Sequence, residues 1–167
     1  MAALVTNEEA AKQFANQETI MMLNEICENN LKKPEISINV ISVLIQLAEN
    51  KECATVMSEN RIIQTTAQTM DLCLDNKDLT ICCLSLLNNL IKYQNYTAFA
   101  ETTLISDCAN LLRDNVKYAV DNCDETIESQ AAVEIVHQSL RLLCGMLPCD
   151  EHREQYLQAD LVAMTKY

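Results

Sequence analysis

Glycine occurs once in the 167 residues, proline twice, and tryptophan is absent. Tight turns, bulges and hairpins draw their backbone angles from glycine and proline, so this composition excludes a β-rich fold and points to an all-α chain. With Gly145 alone there is no Walker loop, no GxGxxG and no GxSxG elbow. Each of those needs glycine for close backbone approach or a strained turn, so the common nucleotide and hydrolase sites are excluded. No apolar run nears bilayer length and no basic segment precedes an apolar one in the manner of a secretory leader, so neither membrane spanning nor secretion is expected. Basic residues are scarce too: 12 Lys and Arg face 24 Asp and Glu, a net charge of -12. Such a field repels nucleic acid and anionic lipid, and a charged partner is expected to be basic.

What the chain does have is apolar residues, 49% of the total, enough for a sizeable core in a single domain spanning 1–167. Nine cysteines, an odd count without CxxC spacing, fall mostly in apolar stretches. They read as small buried hydrophobes in a reducing compartment, and an intracellular location, cytoplasmic or nuclear, is the expectation.

The chain repeats itself. Aligning Leu44, Leu87 and Leu143, at offsets of 43 and 56 residues, superimposes "NVISVLIQLAEN", "CCLSLLNNLIKY" and "QSLRLLCGMLPC". Each is followed by a short polar-flanked stretch ("KECATVMSEN", "QNYTAFAETT", "DEHREQYLQA") and then by an apolar one beginning at Ile62, Leu104 and Leu161. Three helices per unit follow, the third of each unit carrying the apolar motif. Units too small to bury their own apolar faces must complete each other's cores, which is the logic of a stacked solenoid. The expected units are 6–50, 51–93 and 94–148, with a partial unit over 149–167. In the first, helices are expected over Asn7 to Asn16, the "QETIMMLNEICEN" stretch, and Glu35 to Glu49. Thr6 and Glu9 have capping-box spacing at its start. In the second, helices are expected over about 51–58, 61–74 and 77–92, where Ile81, Leu84, Leu87, Leu90 and Ile91 form a helical stripe. The third unit carries about 13 extra residues within "NVKYAVDNCDETIESQAA", which either lengthen two helices or form an acidic loop.

These units resemble the armadillo-repeat family, whose units join a short helix to two longer ones and often end in Leu-x-Asn-Leu; "LLNNLI" is the closest match. The glycine usual between first and second helices is replaced by Asn60, Thr103 and Ala159. HEAT-like units are the neighbouring alternative. The resemblance implies a right-handed helical-repeat solenoid of about three three-helix units plus a partial C-terminal one, whose third helices line a groove.

The residue pattern fits that implication. Stepping back from Asn89 by four, seven and eleven gives Ser85, Cys82 and Asp78 on one helical face. The matching positions are Glu35, Asn39, Ser42 and Gln46 in the first unit, and Glu134, Gln138, Arg141 and Gly145 in the third. Asn89, Gln46 and Gly145 fall where the family commonly places an asparagine that bonds the backbone of an extended peptide. An amide suits that task because it both donates and accepts. Asn88 is expected at the groove edge or bonded to a neighbouring unit. Glu35, Asp78 and Glu134 recur at the start of the stripe, where they give the groove an acidic rim or compensate helix dipoles. The family's nuclear-import adaptors place a tryptophan one turn before the asparagine; Ser42, Ser85 and Arg141 stand there.

Other signals point to packing. His137, Cys144, Cys149 and His152 match no zinc spacing, and His137 and Cys144 fall in the helical core pattern. Met21, Met22, Met57, Met70, Met146 and Met164 recur in apolar stripes as core filling. No metal, no cofactor and no catalytic residue is expected.

The expected function is that of a non-enzymatic scaffold or adaptor, binding a peptide or helix of basic character. Its contacts would be Glu35, Asn39, Ser42, Gln46, Asp78, Ser85, Asn89, Glu134, Gln138 and Arg141. The alternative is a structural segment of a larger solenoid, or a homo-oligomer, associating through Leu157, Leu161, Val162 and Met164 of the uncapped last unit.

Overall fold

Asparagine supplies the helix starts that glycine and proline leave unmarked. The side chains of Asn16, Asn50 and Asn76 accept from the backbone amides of Thr19, Cys53 and Leu79, three residues on, at 2.7, 3.2 and 2.9 Å. Each satisfies an amide that has no partner within its own helix. The computed structural model describes residues 16–93, 96–121 and 126–158, and all regular structure among them is helical. The helices are α1 (Gln17–Glu28), α2 (Pro34–Leu47), α3 (Lys51–Glu59), α4 (Ile62–Leu72) and α5 (Lys77–Ile91). After them come α6 (Tyr96–Ala100), α7 (Leu104–Asp121), α8 (Ile127–Met146), a 3-10 turn (Asp150–His152) and α9 (Arg153–Gln158). The expected helix over 7–16 and the side chains of Leu157, Leu161, Val162 and Met164 lie outside the described residues.

Two layers result. α2, α5 and α8 stand side by side, with α5 packed against both of the others. Beneath them α1 packs on α2, α4 on α5 and α7 on α8, while the short helices α3 and α6 fill the junctions. Because α5 has neighbours on both flanks and below, it buries Leu84, Leu86, Leu87 and Leu90 completely. Each such leucine contributes about 1.5–3 kcal/mol of transfer free energy. That is why "LSLLNNLI" is apolar on three sides, where a surface helix would be apolar on one.

The surplus residues of the third unit lengthen both helices: α7 has 18 residues and α8 20, against 11 and 15 for their counterparts α4 and α5. Their far ends are tied together. The Tyr118 hydroxyl donates to Glu128 Oε2 at 2.8 Å, and Lys77 Nζ sits 4.3 Å over the Tyr118 ring.

The turn between α3 and α4 is left-handed at Arg61 (φ 62), one residue beyond Asn60. Asn60 instead folds its amide back onto Val56 O at 2.6 Å, which holds it at φ -108 and passes the turn to its neighbour. Two expectations are corrected. Met57, Met70 and Met146 fill the core, but Met21 and Met22 are about half exposed. His137 and Cys144 lie on the outer face of α8, because Ile135, Ser139, Leu142 and Met146 occupy its inner face.

Candidate functional site

The outward face of the α2–α5–α8 layer carries the polar stripe read from the sequence. Glu35, Asn39, Asp78 and Arg141 are exposed on it, while Ser42, Gln46, Ser85, Asn89, Glu134 and Gln138 are half-buried. The residues are brought onto adjoining helices, but most of their polar groups are engaged within the molecule.

Asn89 Nδ2 donates to Ile45 O on α2 at 3.3 Å, and its Oδ1 accepts from Lys92 Nζ at 2.7 Å. Asn88, buried on the other flank of α5, donates to both O and Oε1 of Gln138 on α8, at 2.9 Å each. Gln138 in turn donates to Glu134 Oε1 at 2.7 Å. Within α2, Asn39 Nδ2 donates to Glu35 O at 2.9 Å and the Ser42 hydroxyl to Ile38 O at 2.7 Å. The two asparagines thus knit the layer together, one to each neighbouring helix. Asn88 bonds to a neighbouring unit, as one of its two expected placements had it.

Three oxygens on these helices remain enclosed and without a partner among the described residues: Gln46 Oε1, Asn88 Oδ1 and the Ser139 hydroxyl on the inner face of α8. The two amide oxygens accept and do not donate, so a ligand reaching them must bring N–H or O–H groups. Glu35 and Asp78 stand in the first turns of α2 and α5. Among the described residues the ion pairs are those of Glu134 with His137 and Asp150 with Arg153, so Glu35 and Asp78 are unpaired. At Gly145 α8 lies close against α5: a Cβ there would lie 3.0 Å from Ile91 Cγ2.

The buried thiols offer little nucleophilic chemistry. Burial pushes Cys27 up to about 11, and Cys83 and Cys108 rise for the same reason, which keeps these three protonated at neutral pH. Cys82, on the outward face of α5, is also raised by burial, with the Ser42 hydroxyl beside it partly offsetting this. Cys27, Cys53, Cys83 and Cys108 are buried as expected, whereas Cys73, Cys82 and Cys149 are half-buried and Cys144 is exposed. Among the described residues no three His, Cys, Asp or Glu side chains converge as a metal-ligand set.

Sequence reasoning assigned no role to the carboxylates between α4 and α7, where Asp71, Asp75, Asp107 and Asp114 line one cleft. Asp107 and Asp114, seven residues apart, share one face of α7, a spacing that was available as a signal, whereas Asp75 lies in the turn beyond the end of α4. Against known proteins, the chain matches no family model, no curated protein sequence and no solved structure.

Proposed function

We propose that this chain is a non-enzymatic scaffold, built as an armadillo-like solenoid, that binds a segment of another protein across α2, α5 and α8. What supports the reading most is Gln46 Oε1, an enclosed acceptor without a partner on α2, which together with the adjoining α5 also carries unpaired acids. An extended segment has backbone N–H groups to spend on such an acceptor. Glu35 and Asp78 steer a basic segment toward it. With Asn89, Asn88 and Gln138 engaged inside the layer, recognition rests on Gln46, Asn39, Ser85 and the exposed charges.

The test is site-specific photo-crosslinking. A photoreactive residue at Asn39, Ser85 or Arg141 is expected to capture a bound lysine- and arginine-rich synthetic peptide, and one at the exposed Thr97 of α6 is not. Capture from Thr97 alone would sink the reading.

A further inference from the structure

A second surface lies away from the third helices. Between α4 and α7 run two adjoining clefts of about 470 and 400 Å³ that meet at Asp71. A third, of about 830 Å³, shares Arg61 with the first and continues along α1 past Glu25 and Glu28. Together they form one furrow along the α1, α4 and α7 layer.

Its charge is one-sided. Asp71, Asp75, Glu101, Asp107 and Asp114 line the part between α4 and α7, and none of them belongs to an ion pair among the described residues. Of the two cations there, Lys77 is already engaged, over the Tyr118 ring and with Glu128 O at 3.4 Å. Burial raises the Asp107 carboxyl, against the Thr103 hydroxyl bond that lowers it, and the charge of Asp71 raises it further. The two carboxylates therefore repel across the cleft, and a cation between them would relieve that.

The furrow walls also hold buried acceptors without partners. Asn24 is nine-tenths buried, and its Nδ2 donates to Glu28 Oε1 at 3.2 Å and Asn60 O at 3.3 Å. Because both partners are acceptors, the orientation of the amide is fixed and Oδ1 is left without a partner. Gln64 repeats the arrangement: Nε2 donates to Ala98 O and Glu101 Oε2, and Oε1 has no partner. A ligand for this surface must bring both positive charge and donors. The carboxylates are spread along the furrow, and no three His, Cys, Asp or Glu side chains among the described residues close on one point. Separate side-chain cations fit that spacing, and a single metal ion does not.

We infer that this furrow docks a lysine- or arginine-rich segment of a partner protein. Cationic side chains lie against Asp71, Asp107 and Asp114, with their N–H groups available to Gln64 Oε1 and Asn24 Oδ1. The inference does not depend on the third-helix reading, which concerns the opposite layer.

The test compares two variants of equal charge change, using a lysine- and arginine-rich synthetic peptide and fluorescence anisotropy. Asp71→Asn/Asp107→Asn/Asp114→Asn is expected to bind it roughly fivefold more weakly, and Glu49→Gln/Glu52→Gln/Glu154→Gln, at exposed acids outside both surfaces, to stay within about twofold of the unaltered chain. Adding a carboxylate at the exposed furrow residue with Gln68→Glu is expected to tighten binding roughly twofold, an outcome misfolding cannot produce. Equal losses in both triple variants would mean that net charge alone is read, and would overturn the furrow. So would absence of binding by the unaltered chain. A loss confined to a separate Glu35→Gln/Asp78→Asn variant, with the furrow variant binding as the unaltered chain does, would overturn it too while leaving the third-helix reading standing.

Discussion

Asn88 and Asn89 are adjacent in sequence and reach in opposite directions: Asn88 donates to Gln138 on α8, and Asn89 donates to Ile45 O on α2. Successive helical residues are about 100° apart, so a neighbouring pair can serve two flanks of one helix. Asn88→Ala removes a buried amide and leaves Gln138 Oε1 without its donor, a loss of about 1–3 kcal/mol. Asn89→Ala removes a longer, half-exposed bond and is expected to cost less, about 0.5–1.5 kcal/mol. Urea denaturation of the two variants checks the order; a larger loss for Asn89→Ala would contradict it.

The single glycine is set by a neighbour. Its own φ is not left-handed, but Ile91 leaves little room for a side chain. Alanine at 145 gains helix propensity of about 1 kcal/mol and meets Ile91, so the two effects nearly offset. Gly145→Leu forces α8 away from α5 and is expected to cost about 1–3 kcal/mol. A thermal melt of Gly145→Leu matching that of the unaltered chain would show that the two helices are not in contact there.

Arg61 is the one non-glycine residue with positive φ among those described. A β-carbon in the left-handed region costs about 1–2 kcal/mol, part of which glycine returns as unfolded-chain entropy. Arg61→Gly is expected to raise stability by about 0.5–1 kcal/mol. Unchanged or lower stability in urea would argue against the left-handed turn.

Asp107 gives the stability profile a pH dependence. Its carboxyl titrates above the ordinary aspartate range because of burial, partly offset by Thr103 and reinforced by Asp71. The folded state therefore binds more protons than the unfolded one in the window from the unfolded carboxylate value up to the raised folded value. Stability falls as pH rises through that window. Asp107→Asn should be more stable than the unaltered chain at neutral pH, and that advantage should shrink on acidification as the unaltered carboxyl is protonated. An advantage unaltered between neutral and acidic pH would contradict the assignment.

Much of the architecture was legible in the sequence because it rests on repetition. Leu44, Leu87 and Leu143 fix the register of the third helices, and the scarcity of glycine and proline leaves only helices to place. The elements α1 to α5 begin and end within about two residues of where the apolar spacing puts them. The polar stripe was legible as a face, since Asp78, Ser85 and Asn89 share a phase, but not as a set of free groups. Whether an amide is spent inside the molecule depends on residues far along the chain: Asn89 meets Ile45 and Asn88 meets Gln138, and no local pattern encodes either distance. The same holds for the furrow, whose walls come from α4 and α7. His137 and Cys144 were misplaced because heptad spacing marks two opposite faces of α8, and only the packing of α5 and α7 selects which is inner.

The proposed function is that the chain holds a basic protein segment through the layer formed by α2, α5 and α8. Two-dimensional amide NMR of the isotope-labelled chain, titrated with a lysine- and arginine-rich peptide, tests it most directly. The expected result is saturable shifts in the amides of Asn39, Gln46 and Ser85 and in the Gln46 side-chain amide, weakening as salt is raised. Shifts that leave all three of those residues unmoved at saturation, or no shifts at all, would contradict it.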